Sequence, residues 1–227
     1  MMDSVKEEVD RRLQEIEILL RFIKEIERPR SRVRAVMPAS ASSATILKAS
    51  IFLLLYNAIE SCVRMSFQQM YSEMRTDGVS FADVHDGIKD VWIKQEFSVS
   101  AATANQETYM ERAKKIAYGV VLTSLPELDP RKLPISGSLD GGAIRKLCNR
   151  HGISFNVPKR ANGGAELATI KEQRNSLAHG HKSFAECGRD YGVSDLERIY
   201  KQTKHFLSGF TKCMAKFNAS KGFLVNP

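Results

Sequence analysis

The stretch ATILKASIFLLLYNAIESCVRMSFQQMYSEM, residues 44–74, decides the fold. The Ser-rich PASASSAT that leads into it is suited to supplying an N-cap, and a long helix is predicted from about Ala44 to Met74. Its centre is apolar on nearly every side, so the helix should run through the middle of the protein. The most apolar part, Ile46 to Ile59, contains Lys48 and Asn57, and its longest unbroken apolar run is only Ile51 to Tyr56. A bilayer span needs about 20 predominantly apolar residues, so this is read as a core helix. Within it, Asn57 and Glu60 stand three apart and Glu60 stands four before Arg64, which lets the three share a face and predicts a buried hydrogen-bonded network there.

Upstream, Val5, Val9, Leu13, Ile16, Leu20, Ile23 and Ile26 recur at helical spacing over residues 4–27, the pattern of an amphipathic helix with a charged outer face. The pattern stops at Pro29, where RPRSRVR places Arg28, Arg30, Arg32 and Arg34 on a segment without periodicity. That segment reads as a solvated linker or as a phosphate-touching arm. Downstream, helical patterns cover Phe81 to Phe97 and Gln106 to Ser124, with KDVWIKQEF and YGVVLTS ambiguous with strand. The proline-rich LPELDPRKLPISG must be irregular. A short capped helix ending at Gly152, a helix from about Ala165 to His179 and a final helix from Ser194 or Asp195 to Phe217 complete the chain. Five to seven helices with short loops predict an all-α antiparallel bundle. The division expected is residues 1–37, an amphipathic helix with an Arg-rich linker, and residues 38–227, the helical domain.

Composition narrows the function. The chain has 227 residues, 43% hydrophobic and 26% charged, enough for one substantial core, and its 14 Gly and 7 Pro exclude collagen-like or low-complexity character. Residues 1–135 carry 19 Lys and Arg against 19 Asp and Glu, whereas residues 136–227 carry 15 against 7, so the net +8 resides in the C-terminal part. This asymmetry favours an anionic partner for that part, RNA, DNA or another phosphate-bearing ligand ahead of a membrane. Cys62, Cys148, Cys187 and Cys213 are scattered, with neither CxxC nor His spacing suited to zinc, and read as reduced, buried thiols; no metal site is expected. The acidic, amphipathic MMDSVKEEVDRR resembles neither a signal nor a transit peptide, and a cytoplasmic location is expected.

The stretch KEQRNSLAHGHKSF, residues 171–184, carries the chemistry. Asn175 and His179 are i and i+4 on a helix and so share a face, while Arg174 projects about 140° away from His179. A long guanidinium could wrap toward the same pocket, or a second subunit could complete it. An imidazole, which titrates near neutrality, can move a proton, and an arginine can hold two phosphate oxygens as charge develops. With the RNA 2′-OH as nucleophile, no protein nucleophile or metal is required. Spacing alone does not single out this pair: Arg174 with His181, Arg145 with His151 and Arg198 with His205 are similarly spaced. The context of Asn175 directly after the arginine and the helix-ending Gly180 sets Arg174 and His179 apart. The bland reading is a basic helix end that complements the helix dipole.

The string RNSLAHG resembles the R-polar-x3-H motif of HEPN-superfamily ribonucleases. FLLLYNAIE, SGSLDGGAIRKL and SFAECGRDYGVSDLERI resemble, in order, the corresponding segments of the bacterial MAE-type HEPN branch, over roughly residues 45–217. The resemblance implies an all-α antiparallel HEPN bundle with an N-terminal helical extension, paired into a homodimer whose motifs face one another. It implies a metal-independent endoribonuclease of a toxin–antitoxin or antiviral defence system, with His179 as acid/base, Arg174 on the phosphate and Asn175 as orienting residue. His181 is a secondary candidate, and Lys171, Lys182 and Arg189 are candidate RNA-binding cations. The implied partners are RNA, a second copy of the chain, and an antitoxin or other defence protein; no cofactor and no membrane are implied. The chain departs from toxins modified by AMP on a tyrosine two residues after the histidine, since that position is His181 and the next tyrosine is Tyr191. The competing reading is a catalytically silent HEPN scaffold that binds RNA or a partner protein. A DNA-binding module lacks a recognisable helix-turn-helix here.

Overall fold

The computed structural model describes residues 2–28, 40–97, 106–121, 128–133, 135, 137 and 139–225. Among them it has eight α-helices: α1 (Met2–Glu27), α2 (Ser40–Thr76), α3 (Asp86–Phe97), α4 (Gln106–Val121), α5 (Gly141–Arg150), α6 (Ala165–Ala178), α7 (Phe184–Arg189) and α8 (Val193–Ala219). Short 3-10 turns cover Pro130–Lys132 and Lys159–Gly164, and the described residues form no strand, only an isolated bridge between Val84 and Leu224. The described residues make an all-helical protein, as the hydrophobic periodicity predicts.

Two compact units are present. The first comprises residues 1–63, 135–144 and 156–211; the second comprises 64–134, 145–155 and 212–227. In the first, all seven stripe positions of α1, from Val5 to Ile26, are buried. At about 1.5–3 kcal/mol per buried large aliphatic side chain, that face is what holds α1 in the unit. Polar ties add direction: Lys24 pairs with Glu197 at 2.6 Å, Tyr200 donates to Glu17 at 3.2 Å, and the buried Lys48 pairs with Glu27 at 3.0 Å. The outer face of α1 carries i,i+3 and i,i+4 pairs such as Arg11 with Glu8 and Glu15, which contribute only tenths of a kcal/mol. Arg28 pairs with Glu25, while Arg30, Arg32, Arg34 and the 37/38 boundary lie outside the described residues.

By length and apolarity α2 could cross a membrane, yet Ile51, Phe52, Leu55, Tyr56 and Ile59 are fully buried inside the protein. Asn57 is exposed, so the polar network expected at its face is not a buried one. A hexapeptide helix not foreseen from periodicity, α7, is started by a capping box between Ser183 and Glu186. It lies so close to α2 that a Cβ on Gly188 would come within 1.8 Å of the Thr45 carbonyl oxygen. The motif helix α6 begins after Gly164, where a Cβ would collide with the Phe206 ring at 2.8 Å, and where the Gly164 backbone meets Gly141 at the start of α5.

In the second unit α3 starts at Asp86 rather than Phe81, because Val84 pairs with Leu224 and the His85 N–H donates to the Phe223 carbonyl. Both strand-ambiguous stretches are helical as far as Val121; residues 122–127 lie outside the description. Gln95 clamps Asp129 through two hydrogen bonds of 2.8 and 3.2 Å. All four cysteines are free thiols; Cys62, Cys148 and Cys187 are buried and Cys213 is partly exposed.

Candidate active site

Helix α6 delivers the motif, and its end is defined by backbone geometry. His179 is the C-cap, its N–H donates to the Asn175 carbonyl at 3.0 Å, and Gly180 takes the left-handed conformation at φ +72°. The N–H of His181 returns to the Ser176 carbonyl at 2.9 Å, closing the turn. This leaves the rings of His179 and His181 exposed, with their centroids 5.9 Å apart.

Arg174 and Asn175 lie in a tighter setting. The guanidinium of Arg174 stacks over the Tyr56 ring at 4.7 Å and donates from Nη1 to Asn175 Oδ1 at 2.9 Å. Asn175 Nδ2 in turn donates to the Gly137 carbonyl at 3.2 Å, and the Tyr56 hydroxyl accepts the Leu139 N–H at 3.3 Å. Tyr56, Arg174, Asn175 and the backbone of Gly137 and Leu139 are therefore joined by a run of contacts in which each member fixes the next. Burial pushes the Tyr56 hydroxyl above its ordinary pKa, so it remains a neutral hydrogen-bonding group. One step along the chain, Asp140 caps α5 through the Ala143 N–H and pairs with Lys171. Burial alone would raise its carboxyl; the Lys171 ammonium and the Ala143 N–H outweigh it and hold the group below the usual range.

The residues picked from the sequence thus fall into two sets. Arg174 and Asn175 are joined; His179 and His181 are neighbours; no hydrogen bond, ion pair or ring contact links Arg174 to His179 among the described residues. The side chain of Asn175 orients Arg174 and the loop rather than the imidazole. Of the cations expected to meet RNA, Lys171 is engaged by Asp140, Lys182 pairs with Asp190 at 3.0 Å near the surface, and Arg189 is exposed. The Asp190 carboxylate holds the Lys182 ammonium above its usual pKa. Among the described residues no three His, Cys, Asp or Glu side chains gather as a metal-ligand set.

Sequence reasoning did not single out Tyr56, whose place in an apolar run makes it look like core filling. The available signal was that a buried tyrosine hydroxyl requires a partner, although which partner depends on a loop some 80 residues away.

A family model of MAE-type HEPN domains matches residues 1–221, which takes in α1 as well as the motif helix. No curated protein and no solved structure matches the chain. The order of the four segments, the all-helical architecture and this match agree: the chain belongs to the MAE-type HEPN family.

Proposed function

We propose that this HEPN protein is a cytoplasmic, homodimeric, metal-independent endoribonuclease of a toxin–antitoxin or antiviral defence system. The observation that carries the reading is the contrast within one motif: an arginine fastened at its guanidinium by Tyr56 and Asn175, five residues before an exposed imidazole at the helix end. A pre-positioned guanidinium is what a phosphorane-like transition state requires, and an accessible imidazole is what proton transfer requires.

In the reaction, His179 takes the proton of the RNA 2′-OH, the 2′-oxygen bonds to phosphorus, and the bond from phosphorus to the 5′-oxygen breaks. The 5′-oxygen receives a proton from an imidazolium, and the products are a 2′,3′-cyclic phosphate and a 5′-hydroxyl. Arg174 neutralises the non-bridging oxygens meanwhile. Because Arg174 and His179 of one chain are not in contact, a cleft shared by two copies is the arrangement that lets an arginine and an imidazole meet one phosphate.

The test is purified protein against total RNA and tRNA in EDTA, beside His179→Ala, with analysis of product 3′ ends. Cyclic phosphates produced by the wild type and absent with His179→Ala are expected. Full cleavage by the variant would remove His179 from the chemistry. A monomer mass by light scattering at micromolar concentration would remove the shared cleft.

A further inference from the structure

The second unit contains a feature that the motif does not use. Arg64, Arg75, Lys115, Arg131 and Lys132 line a cavity of about 650 Å³, within the usual range for ligand sites. Two carboxylates share its wall, and both are engaged. Glu96 is buried and pairs with Lys115 at 3.0 Å; Asp129 accepts from the Arg131 backbone N–H at 2.9 Å and from its guanidinium at 3.1 Å. Lys132 donates to the neutral Gln95 carbonyl at 3.3 Å and lies near enough to Asp129 to favour its charged form, and the exposed Arg75 side chain makes no hydrogen bond or ion pair among the described residues. Arg64 aside, four cations face two carboxylates around this polar cavity, which leaves an excess of positive charge there. This is unexpected from the charge tally, in which residues 1–135 balance.

Helix α4, which supplies Lys115 to this cavity, also carries exposed aromatic rings. Among its described residues only Gly119 is buried, and it is fastened by polar ties, Lys115 to Glu96 and Arg112 to the Glu96 carbonyl. Tyr118, one turn beyond Lys115, is 64% exposed, and Tyr109 is 48% exposed. Cations that can neutralise phosphates, followed along one helix by aromatic rings free to stack on bases, are the pairing of features by which proteins hold single strands. Double-stranded nucleic acid offers no such use for exposed rings, because its bases are already stacked.

We infer that this cavity and Tyr118 form a docking site for single-stranded RNA, with the sugar–phosphate backbone on Arg75, Arg131 and Lys132. The site shares no residue with the Arg174–His179 motif. The ribonuclease reading contributes only the choice of RNA as the phosphate-bearing ligand.

The experiment uses the full chain carrying His179→Ala, so that nothing is cut, and a fluorescent 20-nucleotide single-stranded RNA titrated at several KCl concentrations. Adding Arg75→Ala and Arg131→Ala should weaken binding about tenfold and lower the slope of log K against log[KCl] by roughly 1.4, the loss of two phosphate contacts on a single strand. Tyr118→Ala should weaken binding about tenfold with the slope unchanged, as loss of one stacked base does. A charge-matched control, Arg11→Ala with Arg21→Ala on the outer face of α1, should leave affinity within twofold. Binding unaltered in the folded Arg75/Arg131 variant, or weakened equally by the control, overturns the docking site. AMP is titrated in parallel as a small-nucleotide probe, and AMP binding lost in the Arg75/Arg131 variant while RNA binding stays intact overturns the docking site in favour of a small-nucleotide site. Since no readout depends on cleavage, its failure leaves the ribonuclease proposal standing, and the failure of that proposal leaves the binding result standing.

Discussion

Two helices of this protein end in the same dipeptide, His151-Gly152 after α5 and His179-Gly180 after α6, and both glycines are left-handed, at φ +73° and +72°. Each histidine even has an arginine five or six residues before it. What surrounds the two rings is opposite. His151 is wholly buried in the second unit, with Nε2 2.7 Å from the Tyr71 hydroxyl, Nδ1 2.8 Å from the Leu147 carbonyl and the Phe67 ring 4.6 Å away. His179 is exposed in the first unit, its ring 5.9 Å from that of His181. The same dipeptide thus makes a core hydrogen-bonding post in one place and an exposed imidazole in the other. Access, rather than spacing, separates the motif from its look-alike.

Substitution should separate them cleanly. His151→Ala leaves a cavity and strips partners from a buried hydroxyl and a buried carbonyl, so a loss of about 3 kcal/mol in urea unfolding is expected, with cleavage per folded molecule unchanged. His179→Ala should do the reverse, changing stability by less than about 0.5 kcal/mol while removing cleavage. Lost cleavage at full stability in His151→Ala would break the contrast.

Acid should find the same difference. Burial pushes the His151 pKa down to about 4, from an ordinary value near 6.5. Between those values the unfolded chain binds a proton that the folded chain refuses, so stability falls as pH falls through that window and is level, for this group, above it. The full drop amounts to about 3 kcal/mol. Urea midpoints at pH 7.5, 6 and 5 should therefore decline in the wild type and flatten in His151→Gln. An equal decline in both would assign the acid sensitivity to other groups.

Legibility from sequence follows the same line between local and long-range causes. The α1 stripe, the span of α6 and the stop at Gly180 are set by neighbours within a turn or two, and each can be read from periodicity and punctuation. The late start of α3 depends on Phe223 and Leu224, some 140 residues away, and no local pattern contains that. α7 is an intermediate case: its capping box is written in Ser183 and Glu186, but six residues are too few to show a helical repeat. At the site, Arg174, Asn175 and His179 stand in a recognisable string, whereas the Tyr56 platform and the Gly137 carbonyl come from distant segments.

That platform gives the next prediction. Tyr56→Leu removes the ring beneath Arg174, and a desolvated cation–π contact contributes about 2 kcal/mol, so kcat should fall roughly 30-fold. Tyr56→Phe keeps the ring and loses the hydroxyl that meets the Leu139 N–H and the Gly137 backbone, at a stability cost of about 1–2 kcal/mol. Activity retained in Phe and lost in Leu would tie the ring to Arg174. Equal loss in both would move the weight to the loop.

The smallest effects lie in the two glycines. An alanine at position 180 would meet nothing within 4 Å, so its cost is conformational alone, about 1 kcal/mol. At position 152 the same strain applies, and the new Cβ would also stand 3.2 Å from the His85 ring, whose Nε2 is 2.9 Å from the Gly222 carbonyl. Gly152→Ala should therefore cost more, by whatever displacing that ring requires, and thermal unfolding of the pair reads the difference directly. Asparagine, which tolerates left-handed backbone, should recover most of the loss at 180 and less at 152. Activity then tests the site: the turn through Gly180 fixes where the His179 ring stands, so Gly180→Ala should lower cleavage beyond its loss of stability, while Gly152→Ala should lower it only in proportion to the molecules it unfolds.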